Sequence, residues 1–356
     1  MLKEDDDTKK ASFFFTAYTK DGVDDPATRP IVFAFNGGPG SSSVWLYLGL
    51  LGPRRVELDD KGNGITTPGR LVVNEHTLLT HADLVFIDPI STGFTRAIDK
   101  DEERSYHHFE KDIETVGDFI RRYLTRYERW ASPKLLAGTD YLVALQQGSR
   151  IDDATFDTVA KRLARYTGLP ETFVRRSDLR IEKFHFMKEL LRDRGVTVGR
   201  LDSRYLGVDR YDVGSMLEHD PSLDVWMGPY SAMLNDYVRR ELGYESDLVY
   251  EILNPKVWPW NYENFQNAYA DVSETLRDTM SRNPHLRVYI ASGRFDLATP
   301  YFATEHTLAH LGIEEALRDN IEVSYFDAGH MMYVHAPSIR RLATEMRDFV
   351  DRATGV

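Results

Sequence analysis

A chain of 356 residues, 42% of them apolar and with a net charge of −12, has room for one large α/β unit or for a core with an inserted subdomain. Its acidity argues against nucleic acid as a partner, because phosphate binding needs clustered cations. With no cysteine, disulfides, a thiolate nucleophile and a Cys-type zinc site are excluded. No apolar run reaches the about 18 residues that mark a membrane-span candidate. The polar, acidic opening Met1-Leu2-Lys3-Glu4-Asp5-Asp6-Asp7 does not read as a secretory leader.

Taken in chain order, residues 1–10 read as a charged, frayed start and 12–19, rich in Phe, Tyr and Thr, as a strand. The apolar run Ile31-Val32-Phe33-Ala34-Phe35 predicts a buried strand. Residues 55–58 form a short strand before a turn rich in Asp and Gly, and 83–88 another buried strand. The spacing of Ile113, Val116, Phe119, Ile120 and Tyr123 predicts a helix over 109–126. Residues 134–137 read as a strand that ends at Gly138. From 141 to about 281 the texture is helical or irregular, with helices predicted at 152–166, 180–194, 230–242 and 269–281. Strand patterns return at 287–292 and 321–326, each followed by a loop and then a helix, 302–311 and 337–353. Strands and helices that alternate around a helical interruption imply an α/β class fold, a doubly wound sheet with an inserted helical cap. The expected division is 11–140 as the first part of the core, 141–285 as the cap and 286–356 as the second part of the core.

In such folds chemistry sits at the carboxyl ends of strands, a place taken here by loops 36–43, 88–95, 293–300 and 328–335 and by the segment from Gly138 onward. Asn36-Gly37-Gly38-Pro39-Gly40-Ser41-Ser42-Ser43 follows a buried strand. Its glycines and proline force a sharp turn and leave N–H donors of the kind that hold a developing oxyanion. The three serines after it are expected to cap the next helix. Asp296, in Ser292-Gly293-Arg294-Phe295-Asp296, reads either as a loop or cap residue or as the carboxylate that orients a histidine. His330, in Ala328-Gly329-His330-Met331, lies just past the next strand, where a general base would stand, and Asp327 before it is a candidate cap. Aspartate before histidine on successive strand-end loops is the order of an α/β-hydrolase. That order demands an earlier serine in Gly-x-Ser-x-Gly, and the chain contains none. Ser231, in Gly228-Pro229-Tyr230-Ser231-Ala232, reads as part of a helix start. The strand ending at Gly138 continues Thr139-Asp140-Tyr141-Leu142, which puts Asp140 where the nucleophile would stand.

These residues resemble the serine carboxypeptidase family (peptidase family S10) over roughly 12–138 and 200–353. The glycine-rich loop is similar to that family's Asn-Gly-Gly-Pro-Gly-Cys/Ser-Ser-Ser signature, and residues 83–95 to its strand and Asp-x-Pro…Gly-Phe-Ser loop. Asp296 and Gly329-His330-Met331 match its triad aspartate and histidine. The resemblance implies that the Gly38 N–H donates to the oxyanion, and that Asn36 and Gly37 hold the substrate's terminal carboxylate. Gly138-Thr139-Asp140-Tyr141 stands where the family has Gly-Glu-Ser-Tyr, and no core strand follows before 287. A sheet short of one core strand is therefore expected, with the elbow segment missing. Leu50 stands where the family carries a carboxylate-recognising Glu.

Three readings follow. One is a serine carboxypeptidase-like hydrolase, acting on peptide or acyl substrates, that is inactive or severely impaired. Another is a non-catalytic protein that binds peptide ends or acyl groups, with Trp258, Trp260 and Tyr262 as pocket walls. In the third, Asp140 is the nucleophile, as in dehalogenases and epoxide hydrolases, although Leu142 then stands where a glycine is needed. No metal or other cofactor is called for. Oligomeric state stays open, as does the compartment, since relatives are usually exported.

Overall fold

The computed structural model describes residues 2–3, 9–23, 29–37, 39–64, 69–126, 134–135, 153–179, 181–262 and 272–355. Among these residues the central sheet has four strands, β1 (Phe15–Tyr18), β2 (Ile31–Ala34), β3 (Asp83–Ile87) and β4 (Lys134–Leu135), in the order β1-β3-β2-β4. β1 runs antiparallel to β3, whereas β3, β2 and β4 are parallel. Every residue of β2 and β3 is buried, as expected of strands covered on both faces. Side chains alternate along a strand. One set, Ile31, Phe33, Val85 and Ile87, therefore meets Val116, Phe119, Tyr123 and Leu124 of helix α1 (Phe109–Arg126). The other set, Val32, Ala34, Leu84 and Phe86, faces the principal core.

That core includes helix α2 (Pro221–Arg240), which buries Trp226, Tyr230, Met233, Leu234 and Tyr237. The expected start at 230 is corrected to Pro221, so Ser231 lies inside the helix. The Asp220 carboxylate accepts from the Ser222 N–H and Pro221 occupies the first turn, a strong N-terminal signal. Pro229 inside a helix costs about 3 kcal/mol, and burial of this aromatic face outweighs it.

β5 (Val288–Gly293) and β6 (Ile321–Phe326) form a separate parallel pair in continuous register. Helix α3 (Tyr301–Ala309) follows β5, and helix α4 (Ala336–Thr354) follows β6. Among the described residues no ladder joins this pair to the four-stranded sheet. Among the described residues β2 pairs with β4 at Ile31 and Val32. Between Val32–Asn36 on one side and Tyr289–Ser292 on the other lies a cavity of about 340 Å³.

Boundary differences have local causes. The strand expected over 12–19 is two, Lys9–Ser12 and Phe15–Tyr18, the first paired with Arg96–Ala97 instead of the central sheet. The helix expected over 180–194 stops at Glu189 and resumes as a 3-10 turn, Arg192–Arg194, closed by Gly195 at φ 65°. Residues 269–271 of the expected 269–281 helix lie outside the described residues, and the helix present is Ser273–Arg282. Residues 136–137 of the fourth strand also lie outside them. Among the described residues no helix is long and apolar enough to cross a membrane.

Candidate active site

The parallel register of β5 and β6 brings their carboxyl ends side by side, Gly293 opposite Phe326. Asp296 and His330 leave from those ends and meet. His330 Nδ1 lies 2.7 Å from Asp296 Oδ2. The Thr299 hydroxyl donates to the same oxygen at 2.6 Å and stands 3.1 Å from Nδ1. Asp296 Oδ1 accepts the Ala298 and Thr299 N–H groups at 2.7 and 2.9 Å. Asp296 thus binds its own loop through both oxygens and faces His330 through Oδ2. Asp296 is 3% exposed and His330 43%. Burial alone drives the Asp296 carboxyl upward, but the His330 and Thr299 donors outweigh it and hold it below the usual carboxylate range. A carboxylate on Nδ1 fixes that nitrogen as the donor and leaves Nε2 with the lone pair a base needs. Among the described residues nothing hydrogen-bonds to Nε2.

Two glycines permit this approach. A Cβ on Gly293 would run into the Gly329 carbonyl, and one on Gly329 into the Leu201 carbonyl and the Asp202 side chain. Residues 200–204, which sequence reasoning missed, stitch both loops together. Leu201 O accepts the His330 N–H at 2.6 Å, and Arg200 O accepts the Leu297 N–H at 3.0 Å. Ser203 N–H donates to Phe295 O at 2.9 Å. The buried Asp202 carboxylate accepts the Gly329 N–H at 3.0 Å and pairs with Arg204 at 2.6 Å. No local pattern marks this segment. Thr299 carried a signal, three residues after an aspartate and just before Pro300, but it read as a helix start. Asp327 is no cap; it lies exposed and pairs with Arg294 at 3.2 Å.

The glycine-rich loop leaves β2 beside the same cavity, whose wall includes Asn36, Asp296, Thr299 and His330. Asn36 Oδ1 is buried with no hydrogen-bond partner, while Gly37 is exposed. Gly38 lies outside the described residues, as does Asp140. Gly40 has φ 93°, and a Cβ there would stand 2.6 Å from Asn254 O. Segment 250–254 pins this loop. Asn254 N–H donates to Gly40 O at 2.9 Å and Ser42 N–H to Ile252 O at 3.0 Å.

The serines of the loop are committed elsewhere. Ser41 Oγ accepts from the Trp45 indole, Ser42 Oγ donates to Ile252 O, and Ser43 Oγ donates to Asp88. The expectation that they cap the next helix is corrected. Ser43 stands at the N-cap of Val44–Leu46, yet its side chain makes no cap bond. The fully buried Asp88 attracts it, with the Ser43 N–H and the Tyr250 hydroxyl on the same oxygen. Burial pushes the Asp88 carboxyl above its usual range against the pull of these donors.

Ser91, at φ 67°, contacts His107 Nε2 at 2.8 Å and Glu103 at 2.8 Å. The carboxylate there takes the serine's own proton, so His107 must donate and cannot act as base toward it. Trp258, Trp260 and Tyr262 do not line the cavity, whose aromatic wall residues are Phe33, Phe35, Tyr289, Tyr333 and Phe349; Trp258 is 52% exposed. Among the described residues no group of three or more His, Cys, Asp or Glu is placed to hold a metal.

Comparison with known proteins bears on this arrangement. The serine carboxypeptidase family pattern (Peptidase_S10) matches residues 2–141. The pheromone-processing carboxypeptidase KEX1 of Saccharomyces cerevisiae is 30% identical over 175 residues, 44% of this chain and 23% of that protein. Serine carboxypeptidase-like 33 of Arabidopsis thaliana is 29% identical over 141 residues, 36% of this chain and 25% of that protein. The matches therefore span about a quarter or less of the length of these curated relatives. The crystal structure of KEX1(delta)p, a prohormone-processing carboxypeptidase from Saccharomyces cerevisiae, superposes with a TM-score of 0.62 at 16% identity. That superposition covers 99% of this chain and 88% of that one, a likeness of fold.

Proposed function

Because the chain belongs to the serine carboxypeptidase family, we propose that its site receives the carboxyl-terminal end of a peptide or an acyl group, and that it hydrolyses such a ligand very slowly. In this reading His330 is the base and Asp296 orients it. The Gly38 N–H donates to the oxyanion, and Asn36 with Gly37 holds the ligand's terminal carboxylate. The observation that carries the reading is the 2.7 Å contact between His330 Nδ1 and Asp296, with Nε2 turned to no described hydroxyl. Asp140 stands at the nucleophile's place in the sequence, and its carboxylate has no proton for His330 to remove. Removing the serine of a triad costs about six orders of magnitude in turnover. The similarity to carboxypeptidases makes a peptide terminus the first ligand to test.

A fluorophosphonate probe, which labels only an activated serine, separates the outcomes. No labelling, together with saturable binding of a carboxyl-terminal dipeptide by calorimetry that Asn36→Ala weakens, is the expected result. Labelling of any serine, or rapid release of the terminal residue from a blocked dipeptide, overturns the loss of hydrolysis. Absence of peptide binding removes the binding role.

A further inference from the structure

Beside Tyr333 lies a second cavity, of about 120 Å³. Arg55, His76, Arg340, Tyr230 and Tyr333 contribute to its wall. Tyr333 borders both cavities. We propose that this polar cavity is a binding site for one small oxyanion of the phosphate or carboxylate type.

The cations in it lack partners. Arg55 lies on the strand Arg54–Val56, and its Nε is buried with no acceptor. Among the described residues neither the Arg55 nor the Arg340 guanidinium makes a hydrogen bond or ion pair. Elsewhere in the chain guanidiniums such as Arg70, Arg175 and Arg204 are held by carboxylates. The two arginines share the wall with Asp59, Asp60 and Glu75, and of the two only Arg55 has a buried guanidinium nitrogen without an acceptor. A buried donor without an acceptor is costly, and a bound anion removes that cost.

The acidic groups on the wall do not answer these cations. Both Asp59 oxygens are taken by Asn63, and Oδ1 also accepts the Lys61 N–H. Asp60 is exposed, and Glu75, its side chain 77% exposed, lies 3.6 Å from His76 Nε2 and pairs with neither arginine. Burial holds the His76 pKa below its ordinary value against the pull of Glu75, with Arg55, Arg347 and Arg340 adding to the burial effect. The Tyr230 and Tyr333 hydroxyls have no hydrogen-bond partner among the described residues. Burial pushes both phenols up, so they stay protonated and add neutral donors. Guanidinium forks and phenols around a space for a few waters suit an oxyanion, because planar forks bind such oxygens in pairs.

The test is calorimetric titration of the full chain at constant ionic strength, with inorganic phosphate in one arm and succinate in the other. One saturable site for either anion is expected, and the arm that binds identifies the chemistry. Losing one charged hydrogen-bonding partner weakens binding by about tenfold to a hundredfold, so Arg340→Gln and Arg55→Met each produce that loss. Arg282→Gln, on a distant helix, leaves the affinity as it was. Arg340 is exposed, so its variant keeps the test valid if Arg55→Met fails to fold. No saturable binding in either arm, or binding indifferent to both substitutions, overturns the proposal.

Discussion

Replacing Asp202 by alanine tests whether segment 200–204 holds the two site loops together. Asp202 is 1% exposed on its side chain, while its partner Arg204 is 30% exposed. The substitution leaves the buried Gly329 N–H without an acceptor, at a cost of about 1–3 kcal/mol. The Arg204 guanidinium turns to water, so that ion pair counts for only about 0.5–1 kcal/mol. The Arg204 N–H, which also bonds Asp202 at 3.0 Å, recovers water as well. The expected loss is about 2–4 kcal/mol. Urea unfolding of Asp202→Ala, Arg204→Ala and the double variant measures it. The cycle should give a coupling of about 0.5–1 kcal/mol and leave most of the loss with Asp202 alone. The His330 ring should also lose its fixed orientation, seen as a weakened Nδ1–H resonance in the folded variant. A loss below about 1 kcal/mol with that resonance unchanged would show that the loops hold their geometry without Asp202.

Two further outcomes are expected. Asp296 titrates below its unfolded value of about 3.9, because His330 and Thr299 favour its charged form. Folded protein then binds fewer protons than unfolded protein in that window, so this stability is complete above the unfolded value and is lost as pH falls through the folded one. Unfolding curves of wild type and Asp296→Asn should therefore converge on acidification, and a gap independent of pH would refute the assignment. Gly40→Ala forces a Cβ to 2.6 Å from Asn254 O at φ 93°. Strain and displacement together should cost about 2–4 kcal/mol in thermal unfolding, and a loss under about 0.5 kcal/mol would show that segment 250–254 yields freely.

Features set by short-range forces were legible in the residue order alone. The helix Phe109–Arg126 follows from apolar spacing and occurs with those bounds. The buried strand at Ile31 and the two strand ends that carry Asp296 and His330 follow from short apolar runs closed by glycine loops. In each case the forces act within a few residues, so the pattern shows in the letters. Where several partners competed for one side chain, long-range packing settled the outcome. Ser43 turned from the helix end to a buried carboxylate far along the chain, and a helix ran through Pro229 because its aromatic face had a core to fill. The clamp at Leu201 and Asp202 and the cluster around Arg55 and Arg340 join segments distant in sequence. Contacts of that kind depend on how separate elements align, and no periodicity within any one of them records it.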